Sequence, residues 1–223
     1  MSGSPMRAAV ITAAGSGTRM GARKQFLELA PGQRIIDRVV ATCRATTSWV
    51  GVVVPPGSGW DGEPVDAVVD GGTDRLASLA AGLAAVPPTA EIVVVHSASH
   101  PLASVELVER LVRAVQGGAD GAVPVLAAVD VIKRRHDDGT LTTVGRDGLG
   151  SAQAPMAWSR ATLDRALAAV AGWTDDRPAD AAPIVEESAA VEAVGGRVVA
   201  VDGELANLHV TDPASLEVIR RLA

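Results

Sequence analysis

The residues best placed to do chemistry lie near the start of the chain. Ala13-Ala14-Gly15-Ser16-Gly17-Thr18-Arg19-Met20 is followed by Arg23-Lys24-Gln25-Phe26. The run comes directly after an apolar stretch, Ala8 to Ile11, so it reads as a strand entering a glycine-rich turn. Gly15 and Gly17 let backbone N–H groups turn toward an anion with no Cβ in the way. Arg19 and Lys24 add full positive charge beside those dipoles. Such a combination suits a nucleoside triphosphate and chemistry at phosphorus.

Spacing sets aside two familiar glycine loops. A Walker loop requires Lys-Ser or Lys-Thr after its last glycine, and neither follows here. The dinucleotide fingerprint begins correctly with Gly15 and Gly17, but Met20 stands where the third glycine belongs. A dinucleotide oxidoreductase would also need an acidic ribose reader near Val54-Pro55-Pro56, where none stands. On the loop alone, a purely structural tight turn stays open as the alternative.

Further short motifs recur along the chain. These are Asp70-Gly71-Gly72-Thr73-Asp74-Arg75 with Ser78, Val95-His96 leading to Pro101, and Asp130-Val131-Ile132-Lys133. Arg146, Gln153 and Asn207-Leu208-His209-Val210-Thr211 follow. In type, order and approximate spacing they resemble the 2-C-methyl-D-erythritol 4-phosphate cytidylyltransferase family over nearly the whole chain.

The resemblance implies an enzyme that transfers CMP from CTP to 2-C-methyl-D-erythritol 4-phosphate and releases pyrophosphate. An ionised phosphate oxygen attacks the α-phosphorus in line, so placement and charge neutralisation carry the catalysis rather than a general base. Arg19 and Lys24 would be the catalytic cations, with Mg²⁺ held mainly by the nucleotide phosphates and no protein metal site. Ala13, Ala14, Gly15, Ser16, Gly17, Gly72, Thr73, Ser78 and Ser97 would bind the nucleotide. Arg75 is expected to brace its loop against a carboxylate. The acceptor side would comprise Arg146, His100, Val131 and His209, with Arg146 reaching the partner's site in a homodimer.

That acceptor side departs from the family's pattern. Ser97 and His100 replace an Asp and an Arg, Val131 a Thr, and His209 a Lys. The expectation is intact CTP binding with weak turnover of methylerythritol phosphate. Any activity should rise as pH falls from about 8 to 6, as His100 and His209 take up protons. Alternative readings are a cytidylyltransferase for another sugar-alcohol phosphate or phosphonate, and a nucleotide-binding paralogue with weakened catalysis. Glu186-Glu187 stand at the family's acidic pair, with Val185 for a Thr, and read best as a solvated helix start.

The elements that must position these residues alternate. Apolar strand-length runs fall at Ala8–Ile11, Val50–Val54, Ala67–Val69, Ile92–Val95, Gly121–Val125 and Val198–Val201. Helix-length segments separate them at Arg34–Arg44, Arg75–Val86, Ser104–Val115, Arg160–Ala171 and Glu186–Val194, with another start at Thr211-Asp212-Pro213. This predicts an α/β fold, a mostly parallel Rossmann-like nucleotidyltransferase sheet covered on both faces. Residues 129–153 break the alternation. Val129–Ile132, a turn at His136–Thr140 and a return through Leu141–Val144 read as a β-hairpin. It could lie in the chain's own sheet, or, as the resemblance implies, be a protruding dimerisation arm.

Composition narrows the class. A chain of 223 residues is expected to form one domain, and 48% hydrophobic content argues against disorder. No apolar run approaches a membrane span, and no signal peptide is legible. The lone Cys43 cannot close an internal disulfide, which suits the cytoplasm, and is expected to be a buried helix residue. A net charge of −6 and the lack of any basic run beyond Lys133-Arg134-Arg135 argue against nucleic acid as a partner.

Overall fold

The computed structural model describes residues 5–15, 23–171 and 186–223. The first half runs β1 (Met6–Thr12), β2 (Glu28–Ala30), β3 (Gln33–Arg34), α1 (Ile35–Thr46), β4 (Trp49–Val54), β5 (Ala67–Asp70), α2 (Arg75–Ala85), β6 (Ala90–Ser97) and α3 (Val105–Gln116). The second half runs β7 (Gly121–Ala127), β8 (Ile132–Arg135), β9 (Leu141–Val144), β10 (Gly150–Ala152), β11 (Met156–Ser159), α4 (Arg160–Ala171), α5 (Glu187–Ala193), β12 (Val198–Asp202) and α6 (Pro213–Leu222). Lys24–Phe26 forms a single 3₁₀ turn.

The main sheet has eight strands. From one edge it reads β5, β4, β1, β6, β11, β7 and β12, and β10 continues the β11 position alongside β7. The β1, β4, β5 and β6 pairings are parallel, as is β7 with β12. Strand β11 lies antiparallel between β6 and β7. Pattern reading misses it because Met156-Ala157-Trp158-Ser159 is short and lacks the β-branched residues of its neighbours.

Strand periodicity sends alternate residues into two cores. Ala9 and Ile11 of β1 join Val52 and Val94 on the face packed by Ile36, Val40, Leu107 and Leu111 from α1 and α3. Ala8 and Val10 join Val53, Val93 and Val95 on the opposite face, packed by Leu79, Leu83, Leu163 and Val191 from α2, α4 and α5. Both faces are therefore dry, which is why these strands are apolar throughout. Cys43 is buried on α1, and burial pushes its thiol up to about 12.

Helix ends follow local side-chain chemistry. Ser104 caps α3 by accepting from the Leu107 N–H at 3.0 Å, and Asp212 caps α6 by accepting from Ser215 N–H at 2.8 Å ahead of Pro213. A third small core joins Leu29 of β2 and Ile35 to Val210, Leu216 and Ile219. Packing α6 there carries the segment before it back against the start of the chain.

The hairpin is a separate two-stranded sheet, so it does not extend the main one. Pairing begins at Ile132, opposite Val144, rather than at Val129. Gly139 closes the turn at φ +83°, a conformation that favours glycine. Val129, Val131 and Leu141 are 77%, 65% and 61% exposed, so the arm presents apolar side chains that its own fold does not cover.

Candidate active site

Four strands, β1, β4, β5 and β6, end beside one another at the edge where β1 meets its loop. Backbone bonds prolong the ladder past their ends: Ala13 N–H to the Val53 carbonyl at 2.8 Å, Gly71 N–H to Val54 at 2.8 Å, and Ala98 N–H to Thr12 at 3.1 Å. A cavity of about 500 Å³ opens above them. The β1 end supplies Thr12 to Gly15, the β5–α2 turn supplies Gly72 to Arg75 with Ser78, and β6 supplies Ser97 to Ser99. Lys24, Gln25, His209 and Thr211 complete the wall. This is the carboxyl end of the parallel strands, where open α/β sheets bind ligands.

Close approach explains the glycines of the second turn. A Cβ on Gly71 would meet the Ala14 Cβ at 2.4 Å and the Ser78 Oγ at 3.0 Å. One on Gly72 would meet the Ala77 Cβ at 2.6 Å. The Gly72 N–H donates to Ser78 Oγ at 3.1 Å, so that hydroxyl keeps its own proton to donate elsewhere. Asp74 caps α2 through the Ala77 N–H at 2.8 Å, leaving the positive end of the helix toward the cavity.

Gln25 is a functional residue that reasoning from residue types passed over. It is buried, and its side-chain amide donates to the carbonyls of Ala13 at 2.6 Å and Gly15 at 3.2 Å. The Lys24–Phe26 turn thereby pins the entry of the glycine loop. Its one signal in the sequence is its place between Lys24 and Phe26. The Lys24 ammonium donates to the Val210 carbonyl and contacts His209 Nε2 at 3.2 Å. The Val210 N–H in turn donates to the Ser99 carbonyl at 2.9 Å, closing the C-terminal segment over the β6 turn.

Arg75 braces its loop as expected, forking onto Glu187 at 3.0 and 3.1 Å. Burial opposes the arginine's charge, but the Glu187 carboxylate prevails and holds its pKa above the ordinary value. Glu187 corrects the reading of a solvated helix start, because its side chain is fully buried. Glu186 alone takes the capping role, accepting from the Ser188 and Ala189 N–H groups at 3.1 Å.

Of the other expected site residues, Ala13, Ala14, Gly15, Lys24, Gly72, Thr73, Ser78, Ser97 and His209 come together around the cavity. Arg19, Ser16 and Gly17 lie outside the described residues, as does Val185. Val131 and Arg146 do not line the cavity; Arg146 donates to the Val129 carbonyl at the base of the arm. His100 lies under His209 as a stacked ring, with centroids 4.6 Å apart and planes 20° from parallel. Burial, reinforced by His209, His96, Lys24 and Arg75, pushes its pKa down to about 2. His96 is buried too, and burial takes it down to about 4 against a hydrogen bond to the Ser97 carbonyl that raises it. The expected gain of positive charge on His100 between pH 8 and 6 is therefore corrected: that ring stays neutral.

Gln153 and Asn207 hold the scaffold behind the site. The Gln153 amide donates to the Glu204 and Asn207 carbonyls, both at 2.9 Å, and Asn207 donates to the Ala154 carbonyl at 2.7 Å. A larger groove of about 1030 Å³ elsewhere is lined by Arg34, Asp37, Arg44 and Asp61. Arg34 is paired there with both Asp37 and Asp61, and Arg44 with Asp66, so its charge is already spent internally.

The model of the family described as 2-C-methyl-D-erythritol 4-phosphate cytidylyltransferase matches residues 7–220. The chain belongs to that family. A relative of that name from Chromobacterium violaceum is 35% identical over 226 residues, covering 96% of each chain. One from Streptomyces coelicolor is 35% identical and covers 96% of this chain and 83% of its own. The crystal structure of the Thermus thermophilus protein of that name is similar with a TM-score of 0.80 at 28% identity, covering 97% of this chain and 98% of that one. Cytidylyltransferases of this family are nucleotidyltransferases of isoprenoid precursor synthesis. The central, mostly parallel sheet is the fold of the family's solved structures.

Proposed function

We propose that the cavity binds CTP and that the chain transfers CMP from it to 2-C-methyl-D-erythritol 4-phosphate, releasing pyrophosphate. The observation that carries this is the convergence of Gly15, the Gly72–Ser78 turn and Lys24 around one cavity in a chain that matches the family over residues 7–220. Peptide groups of the Gly72 turn and the free proton of Ser78 offer the donors and acceptors that a cytosine edge requires. Lys24, the Gly15 amide and the start of α2 supply positive potential where the α-phosphate and leaving pyrophosphate gain charge. Arg19 joins them in this reading. Arg75 contributes little net charge, being paired with Glu187.

Mg²⁺ fits as a passenger on the triphosphate. Among the described residues the oxygen donors around the cavity are hydroxyls, peptide groups and the Gln25 amide, and the Asp74 carboxylate is engaged in capping. The cation would neutralise phosphate charge while Lys24 and the amides fix the position of the chain. In the same reading the exposed arm embraces a second copy, and Arg146 clamps the acceptor phosphate of the partner's site. A reducing cytoplasm suits the single buried cysteine. No helix among the described residues is long and apolar enough to cross a membrane.

A second reading, another phosphorylated polyol as acceptor, rests on Ser97 and the neutral His100. These offer no charge where the resemblance places an Asp and an Arg. Pyrophosphate release from CTP and Mg²⁺ with a panel of phosphorylated polyols separates the two. Preference for methylerythritol phosphate is expected under the first, and a different best acceptor would establish the second. Preference for ATP or GTP over CTP would overturn both. Lys24→Ala should lower kcat by about 10²-fold, the scale of losing one preorganised charge stabiliser.

A further inference from the structure

His209 stands where the resemblance places a lysine, and its surroundings in this chain suit a different task. Its Nε2 lies 3.2 Å from the Lys24 ammonium, which also donates to the neighbouring Val210 carbonyl. An ammonium has donors only, so a hydrogen bond here requires Nε2 to accept and the ring proton to sit on Nδ1. One face of the ring stacks on His100. A neutral imidazole thus bridges a neutral neighbour and the one lysine in the cavity wall.

We propose that His209 is a positioning residue that holds Lys24 toward the triphosphate only while its ring is neutral. The inference rests on the role given to Lys24 above. Protonating His209 removes the acceptor and places a second cation against the ammonium. The groups around the ring sharpen this. Among the described residues, Lys24 from the 3₁₀ turn and Arg75 from α2 are the cations sharing the cavity wall with His209, His100 from the turn after β6 is the neutral ring stacked on it, and Asp74 is the carboxylate in the same wall. That carboxylate is tied to the Ala77 N–H and the Thr73 hydroxyl. His209 is exposed, so solvent can supply a proton, and the nitrogen that takes it is Nε2, the one that accepts from Lys24. The sign is the reverse of the expectation from residue types, in which acidification adds a useful cation.

Calorimetric affinity for CTP with Mg²⁺, measured at pH 8 and pH 6, tests this on the full chain. Ionisation of the nucleotide is common to all variants, so the ratio of wild type to His209→Gln isolates the ring. Gln presents an amide oxygen that accepts from Lys24 and does not titrate. The ratio should be near one at pH 8 and fall roughly three- to tenfold at pH 6, the net scale of one ordinary hydrogen bond. His209→Ala should bind weakly at both pH values. A ratio that stays constant, or that rises on acidification, overturns the proposal, as does an Nε2-protonated neutral ring at residue 209 in long-range ¹H–¹⁵N spectra at pH 8. Unchanged CTP affinity and turnover in Lys24→Ala would instead refute the role of Lys24, and a chain that binds no CTP would refute the functional reading. The spectra judge His209 in either case.

Discussion

Separating Arg75 from Glu187 should unfold more than a surface ion pair could. The pair is a bidentate fork linking the start of α2 at the cavity to the start of α5, 112 residues later. Its partners differ in exposure: the Glu187 side chain is fully buried, and that of Arg75 is 35% exposed. Breaking a buried pair from one side costs about 3–5 kcal/mol, because the remaining charge is stranded. Glu187→Ala leaves a guanidinium that water can partly reach, which puts its cost near the lower end, about 3 kcal/mol. Arg75→Ala leaves a carboxylate with no solvent at all, which puts it near the upper end, about 5 kcal/mol. The double variant strands neither charge and should lose no more than Arg75→Ala. The cycle should then fall short of additivity by at least about 3 kcal/mol. For a chain of this size, Glu187→Ala should lower Tm by about 6–12 °C. Denaturant titration of the four proteins gives the cycle directly. Additivity within about 0.5 kcal/mol would refute the bracing role and return Glu187 to an ordinary helix-start residue.

Acid should loosen the fold through the two buried imidazoles. The folded pKa values of His96 and His100 are depressed, so below about 6.5 the unfolded chain takes up protons that the folded chain refuses. Each then costs about 1.4 kcal/mol per pH unit between pH 6.5 and 5, and His96→Asn should reduce the slope of denaturant midpoints over that window; a flat profile in the wild type would contradict it. Gly82→Ala should destabilise by about 1–3 kcal/mol despite alanine's better helix propensity, because the new Cβ would meet Val10 Cγ1 and Val53 Cγ2, both at 2.6 Å. A raised Tm would show that α2 can back away from the sheet at no cost. Light scattering at micromolar concentration should give a dimer, with the arm's exposed Val129, Val131 and Leu141 covered; a monomer would remove the composite site and the case for Arg146.

Local chemistry in the sequence was enough to place most elements and the loop that matters. Continuous apolar runs mark strands buried on both faces, and Ser104 and Asp212 announce helices because a cap is satisfied within three residues. Gly71 and Gly72 are legible because close approach of Ala14 and Ala77 restricts residue type at those positions. Four features were decided by tertiary structure alone. Strand β11 takes its antiparallel place only because β6 and β7 leave a slot that Met156–Ser159 can fill. Glu187 is buried, rather than solvated, because α5 packs where Arg75 can reach it. His100 stays neutral because the β6 turn removes it from water. Lys24 meets His209, 185 residues away, because the small core of Leu29, Ile35, Val210, Leu216 and Ile219 docks α6 beside the first loop. Each depends on which distant surface covers a residue, and burial sets both charge state and hydrogen-bond partner. Residue type and local spacing carry no record of that cover.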